Sequence, residues 1–238
     1  PVGAYRPGLD GIRALAVAAV LLFHLDRLPG GNLGVDAFFV VSGWLITWKL
    51  VSDAERDGRV ETRKFWASRL RRLMPASMAV LLALAVVWPL VGIDVPSLGR
   101  DIGWAAVGLS NWGTISGGGD YWARFGDLSP VTHFWSLAIE QQFYLVWPLV
   151  LLVLISLTAR VRLAVALVSG AGAVVSVVLM NVMFDPIDPT ATYMNTFTRA
   201  HTLLIGAAAG ALTSVLADGR LRFGAWARRL SPIAGLVA

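Results

Sequence analysis

The sequence predicts an all-α polytopic membrane protein, with about six full transmembrane helices, one re-entrant or interfacial segment and a truncated seventh helix. Three observations predict it. Only 15% of the 238 residues are charged and 56% are hydrophobic, whereas a soluble domain carries about 25% charge. The uncharged runs 73–93, 102–119, 141–159 and 163–184 each approach or exceed a spanning length, which is roughly 18 apolar residues. The positive charges sit in short clusters between these runs, as they do on the cytoplasmic side of membrane proteins.

The clusters orient the chain. Arg56, Arg59, Arg63, Lys64, Arg69, Arg71 and Arg72 form the largest, followed by Arg160 with Arg162, and by Arg220, Arg222, Arg228 and Arg229. Arg6 and Arg13 mark the N-terminus, and all four places are predicted cytoplasmic. The other linkers carry Asp26 and Asp36, Asp94 and Asp101, Asp120 and Asp127, and Asp185 and Asp188. An even number of crossings must separate Arg72 from Arg160, yet three apolar runs lie between them. The middle run is the weakest, with Gly103, Gly108, Ser110, Asn111, Gly113, Thr114 and the glycines 117–119. It is predicted not to cross. It should lie on or dip into the outer face, where protein or water must satisfy its backbone.

Helix 1 is then expected outward over about 9–28, and helix 2 returns over about 34–50. Residues 53–75 form a cytoplasmic basic amphipathic segment, with Phe65, Trp66, Leu70, Leu73 and Met74 among the arginines, suited to the inner interface. Helix 3 goes out over 74–93, and residues 94–132 make the outer loop with its re-entrant segment. Helix 4 comes in over about 133–158, helix 5 goes out over 163–183, and helix 6 returns over 198–216. Helix 7 begins near residue 230 and is cut off. The chain opens at Pro1 without a methionine and stops at Ala238, so residues 1–238 read as one transmembrane domain truncated at its C-terminus. No cleavable signal peptide is seen.

Composition excludes several chemistries. With no cysteine there is no disulfide, thiol nucleophile or thiolate metal site, and three scattered histidines make no metal cluster. A net charge of +5 suggests nucleic acid only until the charges are located. They are topology signals, and the partner they imply is the lipid bilayer.

Helices 1 and 2 carry ionisable groups where they are costly. Their uncharged cores are only 14–23 and 37–48, so Arg13, His24 and Asp36 lie near or within the membrane boundary. Such groups are functional candidates by default. Arg13 and His24 are eleven residues apart, which on a helix is about 16 Å of rise and an offset of only about 20°. That line suits a long ligand with anionic groups at Arg13 and chemistry at His24. The plainer alternative is that Arg13 snorkels to inner headgroups and His24 marks the outer interface.

A second constellation runs from His133 to Tyr144. Ser136 and Glu140 are four apart, whereas a capping box needs three, so a capping role fits poorly. Glu140, Gln141, Gln142 and Tyr144 make a polar cluster before an apolar helix, and Arg199, with His201 beside it, is the expected cationic partner of Glu140. Ser42 and Gly43 suit close helix packing better than nucleophilic catalysis, for which no neighbouring base is seen. Arg69, Arg71 and Arg72 before Pro75 are inside-positive signals by default, and are dense enough to hold a nucleotide's phosphates.

Taken together, these motifs resemble the acyltransferase-3 family of integral membrane O-acyltransferases, the O-antigen and exopolysaccharide acetylase type. Residues 9–16 running to Phe23 and His24 resemble its opening helix, and 34–43 its second helix. Phe65 to Arg69, Arg72, Leu73 and Pro75 resemble its arginine-rich inner segment. Residues 133–148 are similar to its most recognisable stretch, and 198–206 to a later helix. Gln141 and His201 stand where many members carry acids, so no acidic role is carried over to them.

The resemblance implies transfer of a short acyl group, acetyl from acyl-CoA, to a hydroxyl of a carbohydrate or related envelope acceptor. It places the chain in a bacterial-type cytoplasmic membrane. Acyl-CoA is a co-substrate, and no resident cofactor or metal is implied. Arg13, Arg69 and Arg72 would hold its phosphates. His24 would act as general base or accept the acyl group itself. Glu140 and Arg13 join it as catalytic residues, with Asp36, Ser136, Tyr144 and Arg199 orienting the acceptor. The rival class is a transporter or exporter, which also uses buried charge and discontinuous segments. Against it, the halves show no inverted repeat. A catalytically dead binding module is countered by the intact Arg13, His24 and Glu140.

Overall fold

The computed structural model describes residues 7–92, 95–118 and 129–217, and these are helical throughout their ordered elements. The helices are α1 (Pro7–His24), α2 (Leu33–Asp57), α3 (Thr62–Leu90), α4 (Leu98–Ala106), α5 (Ser110–Ser116), α6 (Phe134–Leu157), α7 (Val161–Val182), α8 (Thr190–Met194) and α9 (Thr196–Ala217). Four of them, α2, α3, α6 and α7, are long and apolar enough to cross a membrane. Their outer faces expose large apolar side chains such as Val80, Leu82, Val86, Leu145, Leu149, Leu167 and Val174, a surface suited to lipid and not to water. The seventh helix expected near residue 230 lies outside the described residues.

Sequence and structure differ most at α3. The helix was expected from about residue 74, but it begins at Thr62 and runs through Pro75. Pro75 has no N–H to bond the carbonyl of Arg71. Arg71 and Arg72 are exposed there, and the helix continues past the proline to Leu90. The weak run of 102–119 was expected not to cross, and its described residues hold two short helices, α4, which begins earlier at Leu98, and α5. Nine residues of α4 and seven of α5 extend about 14 Å and 10 Å, well short of the hydrocarbon layer's ~30 Å. Gly108, with φ of 74°, makes the corner between them.

The chain divides into two compact units. One takes α1, α2, α6 from Leu151 onward, α7 as far as Val174, and α9 from His201. Its helices pack through glycine. A Cβ at Gly34 would overlap the carbonyl oxygen of Ala16 on α1. On the other side, Gly43 of α2 meets Leu203 O, while Gly206 and Gly210 of α9 meet Val40 O and Trp44 O. The four-residue spacing of Gly206 and Gly210 is the close-packing pattern of membrane helices. Trp44 Nε1 then donates to Thr213 Oγ1 at 2.7 Å, and Arg162 at the start of α7 makes a two-pronged ion pair with Glu55 of α2.

The other unit holds α3, α4, α5, α8, the first part of α6, the end of α7 and the start of α9. Leu98 and Ala105 of α4 bury against Leu81 of α3 and Val131, with Met78, Trp88 and Ile102 around them. One face of α4 is thus packed against α3. Ser176 of α7 donates to Phe197 O at 2.6 Å, fastening α7 to the start of α9.

Candidate active site

In the first unit α1 is unbroken from Arg13 to His24, so the expected line of ~16 Å between them holds. Arg13 Nη1 lies 3.6 Å from Asp10 Oδ1, one turn earlier. His24 is the last residue of the helix and is exposed. Its Nδ1 sits 2.8 Å from Val20 O. A carbonyl can only accept, so Nδ1 is the donor of this bond. Phe23 meets the ring edge-on, centroids 5.4 Å apart. Asp36 lies half-buried in the first turn of α2, where the helix N-terminus favours a carboxylate.

The second unit brings Arg69 and Tyr144 together. The guanidinium of Arg69 lies 5.4 Å from the ring centroid of Phe65 and 5.6 Å from that of Tyr144. It lines a cavity of about 530 Å³, whose walls include Trp66, Leu73, Met74 and Leu109, with Gln141 and Gln142 supplying amides. Arg72 is exposed. Ser136 is the third residue of α6, past the capping position, and is half-buried one turn before the half-buried Glu140.

Arg199 is 7% exposed. Its guanidinium lies 4.7 Å from the ring centroid of Tyr193 and 6.0 Å from that of Trp135. The two rings are themselves 4.9 Å apart. This aromatic setting was missed, because Tyr193 stands 58 positions from Trp135 and on the short helix α8, for which nothing in the sequence gave notice. Arg13, His24 and Asp36 belong to the first unit, and Arg69, Arg72, Ser136, Glu140, Tyr144 and Arg199 to the second.

The sequence reading also missed a polar knot. Gln142 Nε2 donates to Gly108 O at 3.1 Å and to Asn111 Oδ1 at 2.9 Å. Gln142 Oε1 accepts from Thr196 Oγ1 at 2.6 Å and Trp112 Nε1 at 3.3 Å. Asn111, fully buried, donates to Met194 O at 3.1 Å and Thr196 Oγ1 at 2.9 Å. The signal available was a run of polar residues, Ser110 and Asn111, inside an apolar segment.

Four long apolar helices, an arginine and a histidine aligned on α1 in one unit, and an arginine at an apolar cavity in the other are the features of a helical membrane protein. The chain belongs to the acyltransferase-3 family: the family's description, "Acyltransferase domain", matches residues 6–237. It is 39% identical over 211 residues to the peptidoglycan O-acetyltransferase OatA of Listeria monocytogenes, covering 86% of this chain and 33% of that one. It is 42% identical over 211 residues to the Bacillus subtilis chain named "Putative peptidoglycan O-acetyltransferase YrhL", with coverage of 86% and 33%. A Staphylococcus aureus chain named "Putative O-acetyltransferase SAS0844" is 38% identical over 206 residues, covering 85% and 34%. The chain therefore spans about a third of the length of the curated relatives it matches. No solved structure matches it.

Proposed function

We propose that the chain is the membrane-embedded part of an O-acyltransferase that moves acetyl from acyl-CoA to a hydroxyl of a cell-envelope carbohydrate. The observation that carries this reading is the family match over residues 6–237, in a chain that keeps Arg13 and His24 on one line of α1. Relatives named for peptidoglycan O-acetylation support a glycan acceptor.

His24 Nε2 takes the hydroxyl proton as the acceptor oxygen bonds the acyl carbon. The thioester C–S bond breaks, and the proton leaves with the CoA thiol. Alternatively His24 accepts the acyl group first and hands it to the hydroxyl. The donor's phosphates are assigned to Arg13, Arg69 and Arg72, while Asp36, Ser136, Glu140, Tyr144 and Arg199 orient the acceptor.

The topology proposed with this function has α1, α2, α3, α6, α7 and α9 crossing a cytoplasmic membrane, N-terminus inside. The pair α4–α5 dips in from the outer face. Its short helices, and the donation of Gln142 to the corner carbonyl of Gly108, support that arrangement.

The test is transfer from radiolabelled acetyl-CoA in membranes carrying the full-length protein, with His24→Ala beside the parent. Label is expected in an envelope glycan and absent with His24→Ala. Equal transfer by both proteins removes the histidine mechanism. No transfer from acetyl-CoA or a longer acyl-CoA returns the exporter to the lead.

A further inference from the structure

We infer that Gln142 is a positioning residue, whose side-chain amide locks the α4–α5 corner to α6 and so fixes one wall of the Arg69 cavity. The inference rests on the reading above, in which Arg69 holds the acyl donor.

The corner is built from Val107, Gly108 and Leu109, all of which line the cavity with Arg69 and Tyr144. Its geometry is unusual for a membrane segment. Gly108 takes a φ of 74°, which ends α4, and its carbonyl falls in the gap between two short helices. At membrane depth such an acceptor needs a protein donor, and Gln142 Nε2 supplies it at 3.1 Å. Gln141, the preceding residue, presses on the same glycine: a Cβ at Gly108 would come 2.5 Å from Gln141 Oε1.

The amide cannot turn away. Both of its protons and both acceptor positions are used, by Gly108 O, Asn111 Oδ1, Thr196 Oγ1 and Trp112 Nε1. Asn111 carries the grip onward to Met194 O and Thr196, so the corner is held from α5, α6, the end of α8 and the start of α9. A fully satisfied, partly buried network of this kind rigidifies what it touches. Gln142 itself lines the cavity, but its polar atoms are all committed to protein, so its effect on a bound donor passes through the corner.

Two variants separate the donors of Gln142 from the outer end of the knot. Gln142→Glu keeps the acceptors for Thr196 and Trp112 but has no proton for Gly108 O or for Asn111 Oδ1. Thr196→Val removes the hydroxyl shared by Gln142 and Asn111 and leaves the Gly108 bond in place. Each is prepared as full-length protein and first checked for a cooperative thermal transition in detergent. In Gln142→Glu, amide hydrogen exchange across residues 103–113 is expected to rise about tenfold or more, and the KM for acetyl-CoA about tenfold, with kcat little changed. In Thr196→Val, which loosens only the outer end of the grip, a clearly smaller rise in both is expected.

Unchanged exchange in a folded Gln142→Glu protein overturns the lock. Faster exchange with an unchanged KM, or an equal KM rise in Thr196→Val, overturns the positioning role while the proposed function stands. If the parent transfers no acyl group, the function fails by itself, and the exchange measurement still decides the lock.

Discussion

The indole N–H of Trp66 donates to the main-chain oxygen of Tyr144 at 2.9 Å. That oxygen is one that α6 cannot satisfy by itself, because Pro148, four residues on, has no N–H. A residue of the arginine-rich stretch of α3 thus completes the backbone of the helix that carries Glu140, Gln141 and Gln142. The same indole forms part of the cavity wall.

Removing the donor should therefore cost more than removing the ring surface. Trp66→Phe keeps an aromatic side chain and strands Tyr144 O, at an expected loss of about 1–3 kcal/mol. Adding Pro148→Ala supplies an amide to the same oxygen and should recover most of it. Thermal unfolding of the two single variants and the double variant in detergent measures the coupling. A double variant as weak as Trp66→Phe alone would show that the bond contributes nothing.

Gly43 is predicted to tolerate no side chain. A Cβ there runs into the backbone of Leu203, which cannot rotate aside, so α2 and α9 must separate. Gly43→Ala should destabilise by about 1–3 kcal/mol. Gly170→Ala, where nothing lies within 4 Å of the new atom, should be neutral or gain slightly from better helix propensity. Comparing melting temperatures of the two variants checks this.

Arg69→Lys keeps the charge and loses the planar group that stacks on Phe65 and Tyr144. A KM for acetyl-CoA raised about tenfold is expected, with stability nearly unchanged. A KM equal to the parent's would mean that charge alone matters at this position.

The Glu55–Arg162 pair joins the end of α2 to the start of α7 in a two-pronged geometry, with side chains 41% and 20% exposed. At that exposure Glu55→Gln should cost no more than ~1 kcal/mol. The difference from the parent should shrink as salt is raised, since partly exposed charges are screened. Melting curves at low and high ionic strength test it.

Much of the architecture was legible because it is local. Hydropathy, glycine content and charge position found the ranges of α1, α2, α6, α7 and α9 to within a few residues, apart from the charged C-terminal turns of α2. The same signals set the broken segment of α4 and α5 apart from its neighbours. Helix 3 was expected only from residue 74, because the charges of 53–75 mark an interface and not a span, whereas the helix itself starts at Thr62. Arg13 and His24 were legible as a pair because eleven residues of unbroken helix fix their alignment without any tertiary contact.

What the sequence by itself determined is thus the family, the helical class and the residues that one helix can align. The tertiary structure alone decided the partners. Gln142 meets Gly108 across 34 residues and Thr196 across 54, and Trp66 meets Tyr144 across 78. Nothing periodic in a sequence encodes such pairs. They form because backbone and amide groups placed away from water must find each other, and only the packed helices determine which ones are within reach.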